Sequence, residues 1–356
     1  MSKIETRESP RASKKTLTCS VVGARGYAGL ETARLLLAHP HAKLTHAFAT
    51  GDFRLATLLQ ARGASEVASL RDSELLQNLT DVVFLATPAE VSLELAPKIA
   101  ARGKTVIDLS GAFRLKTSDY AKWYGFAHTE PSALKAAGYG LSPWAGPSRG
   151  ETIVANPGCY ATAIAMALIP LVKEGLVDAS SIVIDAKSGT SGAGKKAAEN
   201  LLFTEVDGEC LPYKVGRHQH LPEIFEAVAA FSGSSIDAHM TTSLLPVRRG
   251  IIAGLYLRLR DGASLTDVEA AFSRAYKNYP LVSFTRLADE PSLMSLKKVV
   301  GTAKTHISFE AHGPKLYVFS CIDNLLKGAA SQAIENFNRV CDVPVETGLS
   351  HLEGLL

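Results

Sequence analysis

The segment that most constrains this chain is Leu17 to Gly29. A loosely alternating stretch rich in small and β-branched residues, Leu17 to Val22, breaks into Gly23-x-x-Gly26-x-x-Gly29 and passes at once into helical spacing from Leu30 to Ala38. Glycines there let the backbone turn tightly and approach a phosphate closely. The helix start offers free N–H groups and the positive end of its dipole. The alternation continues downstream. Lys43 to Phe48 predicts a second strand, and Asp81 to Pro88 a strand covered on both faces. Val91 to Ala101 predicts a helix, and Thr105 to Ser110 another buried strand. Strands alternating with helices predict an α/β, doubly wound parallel sheet of the Rossmann-like kind.

The pattern changes after Thr152. Asn156-Pro157-Gly158-Cys159 reads as a turn, followed by a helix from about Tyr160 to Leu168 that ends at Pro170. Longer strands follow at Ser181 to Lys187, Met240 to Val247, Gly254 to Arg260 and Lys315 to Cys321. They predict a second, α+β domain with an antiparallel or mixed sheet, before a last helix from about Leu325 to Arg339. A length of 356 residues suits two domains.

Composition narrows the function. A net charge of +3 leaves no broad electrostatic footprint for nucleic acid. No apolar run approaches the ~18 residues needed to span a bilayer, so no membrane role is expected. Five cysteines, an odd number with no Cys-x-x-Cys spacing, argue against a disulfide framework and a zinc ribbon. A reducing cytoplasm is the expected home. Residues 1–16 lack the apolar stretch of a secretory signal and read as a disordered tail.

Cofactor choice is read at the end of the second strand. NAD binders place an acid there to hold the ribose 2′-OH. Here the strand ends Phe48-Ala49-Thr50-Gly51, Asp52 comes late, and Arg54 follows. A hydroxyl and a cation suit a 2′-phosphate, which predicts NADP.

Of the five cysteines, Cys159 has chemical context. It follows a glycine that admits substrate and opens an apolar helix, whose N-terminus is expected to stabilise a thiolate. His218 and His220, two apart with Glu223 close by, are candidates for moving protons, with Glu223 orienting an imidazole. They would face one side of an extended segment. No further Cys or His cluster completes a tetrahedral metal site, so no metal is expected.

Together these residues resemble the N-acetyl-gamma-glutamyl-phosphate reductases of arginine biosynthesis, which are related to the aspartate-semialdehyde dehydrogenases. The carriers are Gly-Ala-Arg-Gly-Tyr-Ala-Gly (23–29), Ala-Thr-Pro (86–88), Ile-Asp-Leu-Ser (107–110), Phe-Arg-Leu (113–115) and Ala-Asn-Pro-Gly-Cys-Tyr-Ala-Thr (155–162). Lys-Ser-Gly-Thr-Ser-Gly-Ala-Gly (187–194), His-Gln-His-Leu-Pro-Glu-Ile (218–224) and Ile-Asp-Asn-Leu-Leu-Lys-Gly-Ala-Ala (322–330) complete the set. The resemblance implies reduction of an acyl phosphate. The Cys159 thiolate attacks the carbonyl and expels phosphate, NADPH reduces the thioester, and collapse releases a semialdehyde. A histidine of the pair, His218 first, would manage the protons.

The resemblance also implies cofactor contacts from Gly23, Arg25, Gly26, Tyr27, Ala28, Thr87, Pro88, Ser110, Ser188, Gly189, Ser191, Gly192 and Asn324, beside Thr50 and Arg54. Arg114 and Asn156 are implied to meet the substrate. The last helix is implied to pack back on the first domain, which gives domains of 17–158 plus about 323–342, and 159–322. A homodimer or homotetramer is implied. Departures from the family pattern, such as Ser110-Gly111-Ala112-Phe113-Arg114 without its usual acid, leave two other readings: an N-blocked aminoadipyl phosphate on an acidic carrier protein, or a non-catalytic NADP-binding relative.

Overall fold

The structure is a computed structural model that describes residues 16–145, 151–289 and 295–350. The tail expected at 1–16 lies, apart from Thr16, outside the described residues. Seven strands build the first sheet: β1 (Leu17–Val22), β2 (Ala42–Ala49), β3 (Ala68–Arg71), β4 (Val82–Leu85), β5 (Thr105–Asp108), β6 (Gly138–Tyr139) and β7 (Ile153–Ala155). Their order is β3-β2-β1-β4-β5-β7-β6 and every pairing is parallel. All four residues of β4 are buried. Helices cover both faces of a parallel sheet, which is why this strand is continuously apolar. The strand order reverses between β1 and β4, the place where α/β sheets open a crevice for ligands. Helix α1 (Tyr27–Ala38) starts at that crevice and α2 (Ala89–Ala100) follows β4.

The second sheet contains β8 (Ile182–Gly189), β9 (Leu211–Pro212), β10 (Ala238–Leu245), β11 (Ile251–Arg258), β12 (Val282–Arg286), β13 (Thr305–His312) and β14 (Lys315–Ile322). Its order is β12-β13-β14-β11-β8-β10-β9. The sheet is mixed: β8–β10 and β12–β13 are parallel and the other pairs antiparallel. Helices α3 (Cys159–Lys173), α4 (His220–Ser232) and α5 (Leu265–Tyr276) share one core with its covered face. Val183 on β8 and Tyr256 on β11 remain exposed.

Helix α3 does not end at Pro170. It runs on to Lys173, buried from Tyr160 to Val172. A proline inside a helix leaves the carbonyl four residues back without its N–H. That carbonyl belongs to Met166, and the Tyr276 hydroxyl of α5 donates to it. Tertiary structure supplies the hydrogen bond that the local sequence removes.

The last helix, α6 (Ser331–Val340), is entered through one π-helical turn at Leu326–Ala330. Its Ala333, Ile334 and Phe337 pack with Val21, Phe84 and Leu36 in the core of the first sheet. Its polar face is buried too. Gln332 Nε2 and Asn336 Nδ2 donate to the Gly140 carbonyl, and Asn338 Nδ2 donates to the carbonyls of Val345 and Thr347. No described helix is long and apolar enough to cross a membrane.

Candidate active site

The glycine loop is built for close approach. Gly23 has φ +79°, and a Cβ there would stand 2.3 Å from the Ala86 carbonyl oxygen. A Cβ on Gly29 would stand 2.3 Å from the Gly23 carbonyl oxygen, so this glycine lets α1 pack on the turn after β1. Two cavities flank the loop. One of about 520 Å³ takes in Gly23, Arg25, Gly26, Thr50, Thr87, Pro88 and Lys195. The other, of about 310 Å³, takes in Tyr27, Ala28, Arg114, Cys159, Ser191, Gly192 and Asn324, with Gly26 and Gly29. A dinucleotide phosphate fits this cradle, because Gly26 and Gly29 line it without a side chain of their own at the start of α1.

Arg54 does not reach the cavity at which a cation was expected. Arg54 stands exposed at the start of a short helix and does not line the 520 Å³ cavity, whereas Arg25 does. Asp52 is turned out, with Arg71 donating to its carboxylate at 2.7 and 2.9 Å. Asp72 lines the same cavity, but it follows β3, not β2, and burial pushes its carboxyl up.

Cys159 is the first residue of α3, with Gly158 as the extended N-cap. Gly158 is required: a Cβ there would stand 2.4 Å from His220 Nε2. On the other side, a Cβ on Gly328 of the π turn would stand 2.7 Å from the Cys159 Cβ. The thiol thus sits in a slot between an imidazole and a glycine backbone. Burial pushes it up to about 11, while the N–H groups of Tyr160 and Cys159 and the Arg114 charge pull the other way. The expected stabilisation of a thiolate by the helix start exists but is outweighed by desolvation. The free site holds its sulfur protonated.

The two imidazoles lie together, 4.7 Å between ring centroids. The segment is not extended. His220 opens α4 and its backbone N–H donates to His218 Nδ1 at 3.1 Å. Burial lowers His218 to about 4 and His220 further below its ordinary value. Both rings are neutral near pH 7, so either is free to accept a proton.

Glu223 does not orient an imidazole. Its Oε1 accepts from the Gly158 backbone N–H at 2.8 Å and from the Tyr139 hydroxyl at 2.9 Å. Its Oε2 lies 3.7 Å from Arg114 Nη1. The buried carboxylate therefore braces the turn that presents Cys159. Arg114 Nε donates to the Asn156 carbonyl and Nη2 to the Leu109 carbonyl, both at 2.8 Å. This fixes the guanidinium beneath the nucleophile turn with further N–H donors left over.

Asn156 also departs from expectation. Its side chain is buried, donating to the Ala329 carbonyl at 3.2 Å and accepting from Asn336 at 3.0 Å. It anchors the turn instead of facing a cavity. Ser110 likewise turns inward, its hydroxyl donating to Asp108 at 2.8 Å and accepting from the Ala112 N–H. Gly189 allows β8 to pass close to the backbone of Arg248 and Arg249. Asn324 accepts from the Gly250 N–H and donates to the Ser191 hydroxyl, which positions the strip that faces the cofactor cavity. Ser188 lines a third cavity of about 570 Å³ with Cys159, both histidines, Tyr213 and Lys214. Tyr213, Lys214 and Lys195 were not legible as site residues. Lys195 donates to the Arg25 carbonyl at 2.8 Å, tying the second domain to the glycine loop. Among the described residues no group of three or more His, Cys, Asp or Glu is placed to hold a metal ion.

Comparison with known proteins agrees with this construction. Residues 18–151 match the model "Semialdehyde dehydrogenase, NAD binding domain", and residues 159–324 match "Semialdehyde dehydrogenase, dimerisation domain". In fold the chain resembles aspartate semialdehyde dehydrogenase II from Vibrio cholerae, with TM-score 0.70 at 17% identity over 92% of this chain and 99% of that one. The enzyme from Candida albicans, solved with NADP, gives 0.64 at 14% identity over 92% and 99%. Fold and site thus define a nicotinamide-dependent oxidoreductase of the semialdehyde dehydrogenase class. The proteins named N-acetyl-gamma-glutamyl-phosphate reductase in Staphylococcus epidermidis and Geobacillus stearothermophilus are each 39% identical to it, over 93% and 94% of this chain and 97% and 99% of theirs. The chain belongs to the N-acetyl-gamma-glutamyl-phosphate reductase family. Neither relative's name includes a carrier protein.

Proposed function

We propose that this protein carries out the NADPH-dependent reductive dephosphorylation of N-acetyl-glutamyl phosphate to its semialdehyde, a step of arginine biosynthesis, through a thioester on Cys159. The observation that carries the reading is the 310 Å³ cavity in which Cys159, Arg114, the glycine loop, Ser191 and Asn324 meet. A nucleophile with no hydride chemistry would not need the loop, and a nucleotide-binding protein would not need the thiol.

The residues divide the work. The free N–H donors of Arg114 pair with the substrate phosphate, for which a planar fork is suited. His220 takes the Sγ proton, because its ring borders Gly158 and lines both the 310 and the 570 Å³ cavities, whereas His218 lines only the second. An arriving phosphate dianion favours the protonated imidazole, which offsets the burial that lowers it in the free site. Sγ then bonds to the acyl carbon and the carbon–oxygen bond to phosphate breaks. N–H groups at the start of α3 face the developing oxyanion. The nicotinamide cofactor, when bound, supplies hydride to the acyl carbon. His220 returns its proton as the semialdehyde leaves. Glu223 keeps Gly158, and so Cys159, in register throughout. Glycines 23, 26 and 29 hold the cofactor's pyrophosphate, and Arg25 with Thr50 favours NADP over NAD. The matched dimerisation domain supports a homo-oligomer, dimer or tetramer, and the unpaired cysteines suit a reducing cytoplasm.

The test is the reverse assay with semialdehyde, phosphate and NADP, followed at the absorbance of NADPH. Cys159→Ser is expected to lose at least about 1,000-fold in kcat while binding NADP as the parent does. Near-parental turnover in that variant would rule out the thioester.

A further inference from the structure

The 570 Å³ cavity beside the nucleophile takes no residue from the glycine loop. Its described lining carries two ammonium groups, Lys196 and Lys214, and no carboxylate. In the reaction proposed above, the phosphate end falls to Arg114, which lines the neighbouring cavity. Both lysines are partly open to solvent, and their ammonium groups offer this cavity a place for a second anion.

Lys214 is held in place by its surroundings. Its φ of +47° is left-handed, one of only two such values among described non-glycine residues. That conformation persists where neighbours over-determine it. Here Tyr213 is pinned to β10 on both sides: its N–H donates to the Thr242 carbonyl at 2.9 Å, and its own carbonyl accepts from the Thr242 hydroxyl. The Lys214 carbonyl then accepts from the Arg217 N–H at 2.9 Å, closing a turn. The ammonium donates to Gln219 Oε1 at 2.6 Å, next to the start of α4 and the histidine pair. One of its three donors is used and two remain. Lys196 shows no comparable anchoring: it also lines the separate 400 Å³ cavity beside Tyr27 and Arg249.

We propose that Lys214 determines specificity by pairing with a carboxylate on the acyl substrate, at the part of the cavity built by the Tyr213–Arg217 turn. This rests on the reaction proposed above. Arg114 and Lys214 would then read the two ends of a doubly anionic acyl phosphate, with Cys159 between them. Burial does most to lower both histidines and Lys214 adds Coulomb repulsion, so a substrate carboxylate that neutralises it would relieve a smaller part of that lowering.

The experiment separates binding from turnover. Calorimetry compares N-acetylglutamate with its α-carboxamide, and the reverse assay compares the semialdehyde with its α-carboxamide. The parent is expected to prefer the acid by about 10- to 100-fold, as for a charge-assisted hydrogen bond. Lys214→Gln is expected to raise KM for the acid by that factor and to lose the preference, with kcat and the KM for NADP within about threefold. Lys214→Arg keeps most of the preference, and Lys196→Gln keeps all of it. Equal binding of acid and amide by the parent overturns the assignment. So does a preference that survives in Lys214→Gln or disappears in Lys196→Gln. Preference without turnover leaves the carboxylate site standing and overturns the reaction instead.

Discussion

Gly158 shows how much of this site depends on one missing methyl group. A Cβ there would meet His220 Nε2 at 2.4 Å, so Gly158→Ala must push the imidazole away from the thiol or shift the turn. A displacement of about 1 Å costs on the order of 100-fold in rate. We expect that loss in kcat with NADP binding unchanged, read by steady-state kinetics and by cofactor titration. The thiol itself makes a sign-definite prediction. Burial holds Cys159 up at about 11 in the free protein, so the thiolate fraction keeps growing through pH 9 and 10. Alkylation by iodoacetamide, corrected for the exposed Cys210 in a Cys210→Ser background, should therefore rise steadily with pH. A plateau reached near pH 8 would contradict the burial argument. Much of the site was legible in sequence because its chemistry depends on residue type: a cysteine after Asn-Pro-Gly, two histidines two apart, glycines at spacing three. What was not legible was which partner each group faces. Glu223 braces Gly158 and not an imidazole, and Asn156 turns inward, because those partners come from 65 and 180 residues away.

At the scale of elements, α3 illustrates the competition between local and tertiary rules. Pro170 by itself argues for a helix end, and the helix continues because Tyr276 reaches the orphaned Met166 carbonyl. Tyr276→Phe keeps the ring and removes the donor, also leaving Trp144 Nε1 without its acceptor. An unsatisfied buried carbonyl costs about 1–3 kcal/mol. Urea unfolding of Tyr276→Phe should show a loss of that size, with kcat close to parental because α5 does not touch the reacting groups. The first-sheet strands β1, β2, β4 and β5 were readable, β4 from a continuous apolar run and the others from β-branched and apolar residues between turn and helix signals. Strands β12 and β13 and helix α5 were not read. In the two strands the apolar positions are interleaved with Ser, Thr and His, as in Thr305-His306-Ile307-Ser308, and they acquire their burial from neighbours and not from their own composition.

For the whole molecule, the segment that leads from the second sheet into the core of the first is polar as well as apolar inside. Lys327, in the π turn behind Cys159, donates to both oxygens of Glu335 on α6 at 2.8 and 2.9 Å, and both residues are fully buried. The Tyr279 hydroxyl donates to the same carboxylate. Removing one member of a buried ion pair strands the other charge, at a cost of about 3–5 kcal/mol. Lys327→Met should lower unfolding free energy by that amount, and a Lys327→Met/Glu335→Leu double variant should recover a large part of it. Recovery is the informative outcome, since simple loss of packing would add between the two sites. Across the domains, Arg249 of the second pairs with Glu31 on α1, and its Nη1 lies 3.6 Å from Asp323. These bridges tie the turn before β11 to α1 and to the end of β14. The sequence by itself determined the parallel sheet, the glycine cradle, the candidate nucleophile and the family resemblance, because periodicity, turn chemistry and residue type are local quantities. Only the tertiary structure decided the burial that raises the Cys159 thiol, the partners of Glu223, and which of Arg25 and Arg54 lines the cavity beside the glycine loop, because desolvation and distances between remote segments exist only once the chain has closed on itself.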